Sequence, residues 1–132
     1  MNNKALITRG GNNGRYILIG QTPVPEPDLL KWAEWFESID NRRVALTDFP
    51  EAHISTVFLG LDHNFGWSDE PLLFETMTFW HSQNPLYKAD DGGNCDFGGR
   101  CSTWAEAEAM HAETVEQVKL EIAVRKAAQE EA

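Results

Sequence analysis

The chain has 132 residues, 42% hydrophobic and 24% charged, a composition that fits one folded domain and excludes a disordered or collagen-like chain. With 21 acidic against 11 basic residues the net charge is −10, which excludes a general nucleic-acid binder and a binder of anionic membranes, since both need a basic footprint. No apolar run reaches the ~20 residues of a membrane-spanning helix, and two cysteines, Cys95 and Cys101, are too few for a disulfide framework.

In chain order, residues 1–15 read as a peripheral segment. Met1-Asn2-Asn3-Lys4 leads into a short apolar stretch ending at Thr8-Arg9, which is not a signal-peptide pattern. Gly10-Gly11-Asn12-Asn13-Gly14 is a turn by composition, and its apolar flanks Ala5–Ile7 and Tyr16–Ile19 are expected to pair as a hairpin. No helix start and no Lys-Ser/Thr follow it, so a phosphate-cradling loop is not expected. Pro23, Pro25 and Pro27 then mark the start of a helix over residues 26–39, with Leu29, Trp32, Ala33, Phe36 and Ile39 on one stripe and Trp35 at its edge.

Arg42–Phe49 reads as a strand, broken by Pro50-Glu51-Ala52. His53–Leu61, rich in β-branched and aromatic residues, is the clearest strand, and apolar residues on both its faces predict a central strand covered on two sides. Asp62–Glu70 is a loop and Leu72–Trp80 a second strand, paired antiparallel with the first. Residues 81–100 are polar and Gly-rich and read as a long loop. Thr103-Trp104-Ala105-Glu106 fits a capping box opening a last helix, with Trp104, Ala107, His111, Val115, Val118 and Ile122 on one face and a frayed end over residues 126–132. The expected fold is therefore α+β: a small antiparallel sheet with two main helices packed on it, in a single domain.

The polar residues that interrupt these apolar patterns are the site candidates. Asp62-His63-Asn64 lies where a strand leaves the sheet; it is either a turn capped by its own side chains or a ligand contact. Glu75 sits between Leu73 and Met77 on its strand and needs a partner, for which Arg42 and Arg43 are available, or else stands in a cleft. His111, on the apolar face of the last helix, reads as a core histidine bonded to a carbonyl or carboxylate, or as a member of a polar site with His63 or Glu75. Cys95, Cys101, His81 and His111 lack the spacing of a zinc chelate, so no metal and no cofactor is expected.

The block Ser55-Thr56-Val57-Phe58-Leu59-Gly60-Leu61-Asp62-His63-Asn64-Phe65-Gly66, followed by Pro71-Leu72-Leu73-Phe74-Glu75-Thr76-Met77 and then by Ser102-Thr103-Trp104, Glu106-Ala107 and His111, resembles a family of small proteins encoded by tailed phages and prophages. Asp28-Leu29-Leu30-Lys31-Trp32-Ala33 and Arg42-Arg43-Val44-Ala45 resemble it as well. The similarity covers roughly residues 16–79 and 101–119; the first fifteen residues and the stretch 81–100 depart from it. It implies a phage or prophage setting, and so the cytoplasm of a bacterial host, without implying a reaction.

Three functions follow as expectations. The first is an accessory binding protein that inhibits or sequesters a host component, such as an anti-defence factor of the anti-CRISPR kind. The second is a small-molecule or nucleotide sponge, using Arg42 or Arg43 for an anion and Phe65 or Trp67 for stacking. The third is a metal-assisted hydrolase using Asp62, His63 and Glu75. The absence of a catalytic signature favours binding over catalysis, with Arg42, Arg43, Asp62, His63, Asn64, Glu75 and His111 as the contact set. A homodimer is expected from the spare sheet edge and from the aromatics Trp35, Trp67 and Trp80, which are expected to be exposed.

Overall fold

The computed structural model describes residues 14–64, 69–84, 86 and 95–131. Tyr16–Ile19 (β1) and Thr22–Pro25 (β2) form an antiparallel two-stranded ribbon, with Tyr16 opposite Pro25 and Ile19 opposite Thr22. The partner expected for Tyr16–Ile19, Ala5–Ile7, lies outside the described residues. Pro23 and Pro25 thus belong to a strand and do not open a helix. Glu26 donates its N–H to the Arg15 carbonyl, so residues 22, 24 and 26 carry the ladder and the two prolines fall where no donor is needed.

The first helix is shorter than its apolar stripe. The Asp28 carboxylate accepts the N–H groups of Leu30 (3.0 Å) and Lys31 (3.2 Å), which starts the helix at Leu29–Phe36 (α1). Ser38 is extended, and a separate turn follows at Ile39–Arg42 (α2). Leu29 and Ile39, at the two ends of the stripe, are 57% and 40% exposed, so neither joins the core. Trp32 and Trp35 attach α1 instead: Trp32 donates its indole N–H to the Gly60 carbonyl (3.0 Å), and Trp35 meets Phe58 edge-on at 5.6 Å.

Arg43–Asp48 (β3), Ala52–Phe58 (β4), Phe74–Trp80 (β5) and Cys95–Cys101 (β6) form one antiparallel sheet in the order β3-β4-β5-β6. The antiparallel β4–β5 pair is as expected from sequence. β6 is not, because it lies inside the stretch read as loop. Ile54, Thr56 and Phe58 of β4 alternate with half-buried Ser55 and Val57, and β5 alternates in the same way. One face of the sheet is therefore sealed and the other is not, which corrects the expectation of a strand covered on both sides.

Trp104–Glu131 (α3) seals the first face and packs across all four strands. Its capping box forms as expected: the Thr103 hydroxyl accepts the Glu106 N–H (3.2 Å) and the Glu106 carboxylate accepts the Thr103 N–H (3.2 Å). Ala107, His111, Thr114, Val118 and Ile122 form its buried stripe. The helix continues past Lys126 to Glu131. Arg125 stacks over Trp80 at 4.0 Å and Lys126 pairs with Glu51 at 3.2 Å, which holds its last turns. Two apolar clusters lie under α3, one around Phe58, Phe74 and Ala107 and one around Ile54, Trp80 and Ile122. Among the described residues, no helix is long and apolar enough to cross a membrane.

Candidate functional site

Strand register arranges the sheet face opposite α3 in rows. Arg43, Val57, Glu75 and Arg100 form one row, Leu46, Ser55, Met77 and Phe97 the next, and Asp48, His53, Phe79 and Cys95 the third. Leu46 and Phe97 are 48% and 58% exposed, so the middle row has apolar ends open to solvent.

The third row ends in a polar cluster that the sequence reading did not assemble. Phe49 donates its N–H to the Ala52 carbonyl (2.8 Å), closing the β3–β4 hairpin over Pro50 and Glu51. That closure makes Asp48 and His53 direct cross-strand partners on the open face. His53 stacks on Phe79, its neighbour in β5, at 5.0 Å. His81 follows two residues after Phe79, and its backbone N–H is bound by the Glu51 carbonyl at 2.9 Å.

The side chains then converge. His81 Nε2 lies 3.1 Å from His53 Nδ1 and 3.8 Å from Asp48 Oδ1. On its other side His81 Nδ1 lies 3.0 Å from the Pro50 carbonyl oxygen. A carbonyl only accepts, so Nδ1 carries the proton and the neutral ring presents a bare Nε2 toward His53. A cavity of about 300 Å³, lined by Arg43, Leu46, Asp48, His53, Ser55, Phe79 and His81, opens beside the three groups.

The residues singled out from sequence do not share one pocket. Asp62 is a turn residue: its Oδ1 accepts the N–H groups of Asn64 (2.8 Å) and Leu72 (3.0 Å). Asn64 donates to the Glu70 carbonyl (2.6 Å), and His63 Nδ1 lies 2.8 Å from the Leu61 carbonyl. Glu75 is paired, as one reading held, but with Arg100 of β6 at 2.8 Å and not with Arg42 or Arg43. Arg42 closes α1 instead, donating Nε–H to the Phe36 carbonyl (3.0 Å) with its guanidinium over the Phe36 ring; burial lowers its pKa. Of the predicted set, only Arg43 borders the cavity.

His111 is a core histidine, but its partners are hydroxyls, not a carbonyl or carboxylate. Nδ1 lies 2.8 Å from Thr56 Oγ1 and Nε2 2.8 Å from Thr47 Oγ1, and Thr56 continues the chain to Thr76. Burial lowers the His111 pKa. Neither Asp62, His63 and Glu75 nor the Cys95, Cys101, His81 and His111 set forms a three-ligand cluster among the described residues; Asp48, His53 and His81 do, with their ligand atoms within 4.8 Å of one another. Phe65 and Trp67, the stacking candidates, lie outside the described residues, and Trp80, expected to be exposed for a homodimer contact, is instead buried beneath Arg125 of α3.

One signal in the sequence pointed to this cluster. Asp48 and His53 flank the Pro50-Glu51-Ala52 break, and a tight hairpin there makes them opposite numbers. Compared with protein-family models, curated proteins and solved structures, the chain matches none.

Proposed function

We propose that the protein is an accessory binding protein, of the phage or prophage kind, that inhibits or sequesters a host protein through the open face of its four-stranded sheet. The observation that carries this reading is the one-sided sheet: α3 covers one face, while Leu46, Met77, Phe79 and Phe97 line the other. An apolar strip with charged neighbours is the anatomy of a recognition surface, an apolar centre within a polar rim. The net charge of −10 favours a partner with a basic rim, since it steers oppositely charged proteins together at long range. An anti-defence role is the biological form of this reading, and what favours it is the phage or prophage setting that the resemblance implies.

The test is comparative capture from bacterial lysate. Leu46→Glu combined with Phe97→Glu is expected to abolish retention of a protein that the wild type holds. Leu120→Glu with Val124→Glu, on the exposed side of α3, is expected to keep it. Identical captured sets from all three proteins would refute the face as the binding surface.

A second reading draws on the cavity itself. Arg43 and Phe79 border it together, a cation and an aromatic ring of the kind that hold a phosphate and a base. A nucleotide at about 100 times its Kd would stabilise the protein by roughly 2.7 kcal/mol, several degrees in melting temperature. A flat thermal-shift screen across nucleotides removes this reading.

A further inference from the structure

We infer that Asp48, His53 and His81 form a binding site for one divalent transition-metal ion of the zinc type. The donors are two imidazole nitrogens and one carboxylate oxygen, a set that suits zinc and its neighbours better than the all-oxygen ions calcium and magnesium.

Geometry supports the assignment. Two ligands held at ~2.0–2.1 Å by one tetrahedral ion stand ~3.3 Å apart. The observed separations, 3.1 Å for His53–His81 and 3.8 Å for Asp48–His81, bracket that value. The larger gap involves a side chain that is 73% exposed and so has room to rotate inward. The two histidines are held more firmly, His53 by its stack on Phe79 and His81 by the Pro50 carbonyl and the Glu51–His81 backbone bond.

The Pro50 bond is a second, independent pointer. Metal-bound histidines nearly always donate their other ring N–H to a carbonyl, carboxylate or water, which fixes the tautomer and aims the lone pair. His81 is arranged in this way, its bare Nε2 turned toward His53 and Asp48. In the ion's absence His53 Nδ1–H donates to that lone pair. Binding moves the His53 proton to Nε2 and replaces the imidazole–imidazole hydrogen bond with two metal bonds, with no net change in protonation of the neutral rings. Three protein ligands leave a fourth position for water at the cavity, as in exchangeable sites and unlike sealed structural ones.

Titration of metal-stripped protein with Zn²⁺ by isothermal calorimetry should show one site per chain, of micromolar affinity or better. Co²⁺ should give the intense visible bands of a four-coordinate ion, and the imidazole ¹⁵N signals of His53 Nδ1 and His81 Nε2 should shift on Zn²⁺ addition. His53→Ala and His81→Ala should each weaken binding by about 100-fold or more, and Asp48→Asn by about tenfold or more. His63→Ala and Cys95→Ser should leave it unchanged. Asp48→Asn changes an exposed side chain and preserves the test if a histidine variant fails to fold, which circular dichroism will show. Binding that survives all three ligand variants, or that is lost in Cys95→Ser, overturns the site.

Discussion

His111 is held between Thr47 and Thr56 by two hydrogen bonds of 2.8 Å, and burial lowers its pKa from the ordinary 6.5. Between that lowered value and 6.5 the unfolded chain binds more protons than the folded one. The stability His111 contributes is thus complete above about 6.5 and is lost as pH falls through the window. Urea midpoints measured from pH 8 to pH 5 should fall more steeply for the wild type than for His111→Gln. His111→Ala, which opens a cavity and strips Thr47 of a partner, should cost about 2–4 kcal/mol at neutral pH. The Glu75–Arg100 pair has a different character. Its side chains are 18% and 33% exposed on the open face, so Glu75→Gln should cost no more than about 1 kcal/mol by chemical denaturation. At this scale the sequence showed that Glu75 and His111 need polar partners and was a poor guide to which partners they find. A carboxylate between apolar neighbours announces that it needs a cation, but Arg100 lay in a stretch that carried no strand signal.

At the scale of the element, β6 shows why that signal was missing. Cys95–Cys101 includes Gly98 and Gly99, which weaken any strand pattern, yet the ladder needs them. Thr76 opposes Gly99 while Met77 opposes Phe97, so Gly98 is the extra residue of a bulge. A Cβ on Gly98 would lie 3.0 Å from the Thr76 carbonyl oxygen, and Gly99 adopts φ +143° with the Met110 sulfur 3.0 Å from where its Cβ would be. Gly98→Ala should therefore lower stability by about 1–3 kcal/mol, read from the thermal midpoint, although glycine is ordinarily the poorer strand residue. The same distinction explains the rest of the fold's legibility. Alternation identified β3, β4 and β5, and the capping box identified α3, because each is a local pattern. The Asp48–His53–His81 cluster depends on register across a hairpin and on where a third strand ends, neither of which alternation encodes.

At the scale of the molecule, α3 is longer than the sheet it covers. Its 28 residues extend ~42 Å, whereas the seven-residue strands β4 and β5, along which it runs from the Phe58–Phe74 end to the Ala52–Trp80 end, measure roughly 24 Å. Its buried stripe ends at Ile122, and Arg125 attaches the helix beyond it, stacking on Trp80 and donating to the Leu86 carbonyl at 3.1 Å. Arg125→Ala should cost about 1–2 kcal/mol and increase hydrogen exchange in the last turns of α3.

The bulge in β6 also bears on how copies of the chain behave at high concentration. A regular outer strand offers a row of unused N–H and C=O groups onto which another chain can add, and repeated addition leads to fibrils. Gly98 and Gly99 interrupt that row and twist the rim, making β6 a poor template for growth. Val44 does the same for β3, the other outer strand of the described sheet, so both rims that would favour indiscriminate stacking are blunted.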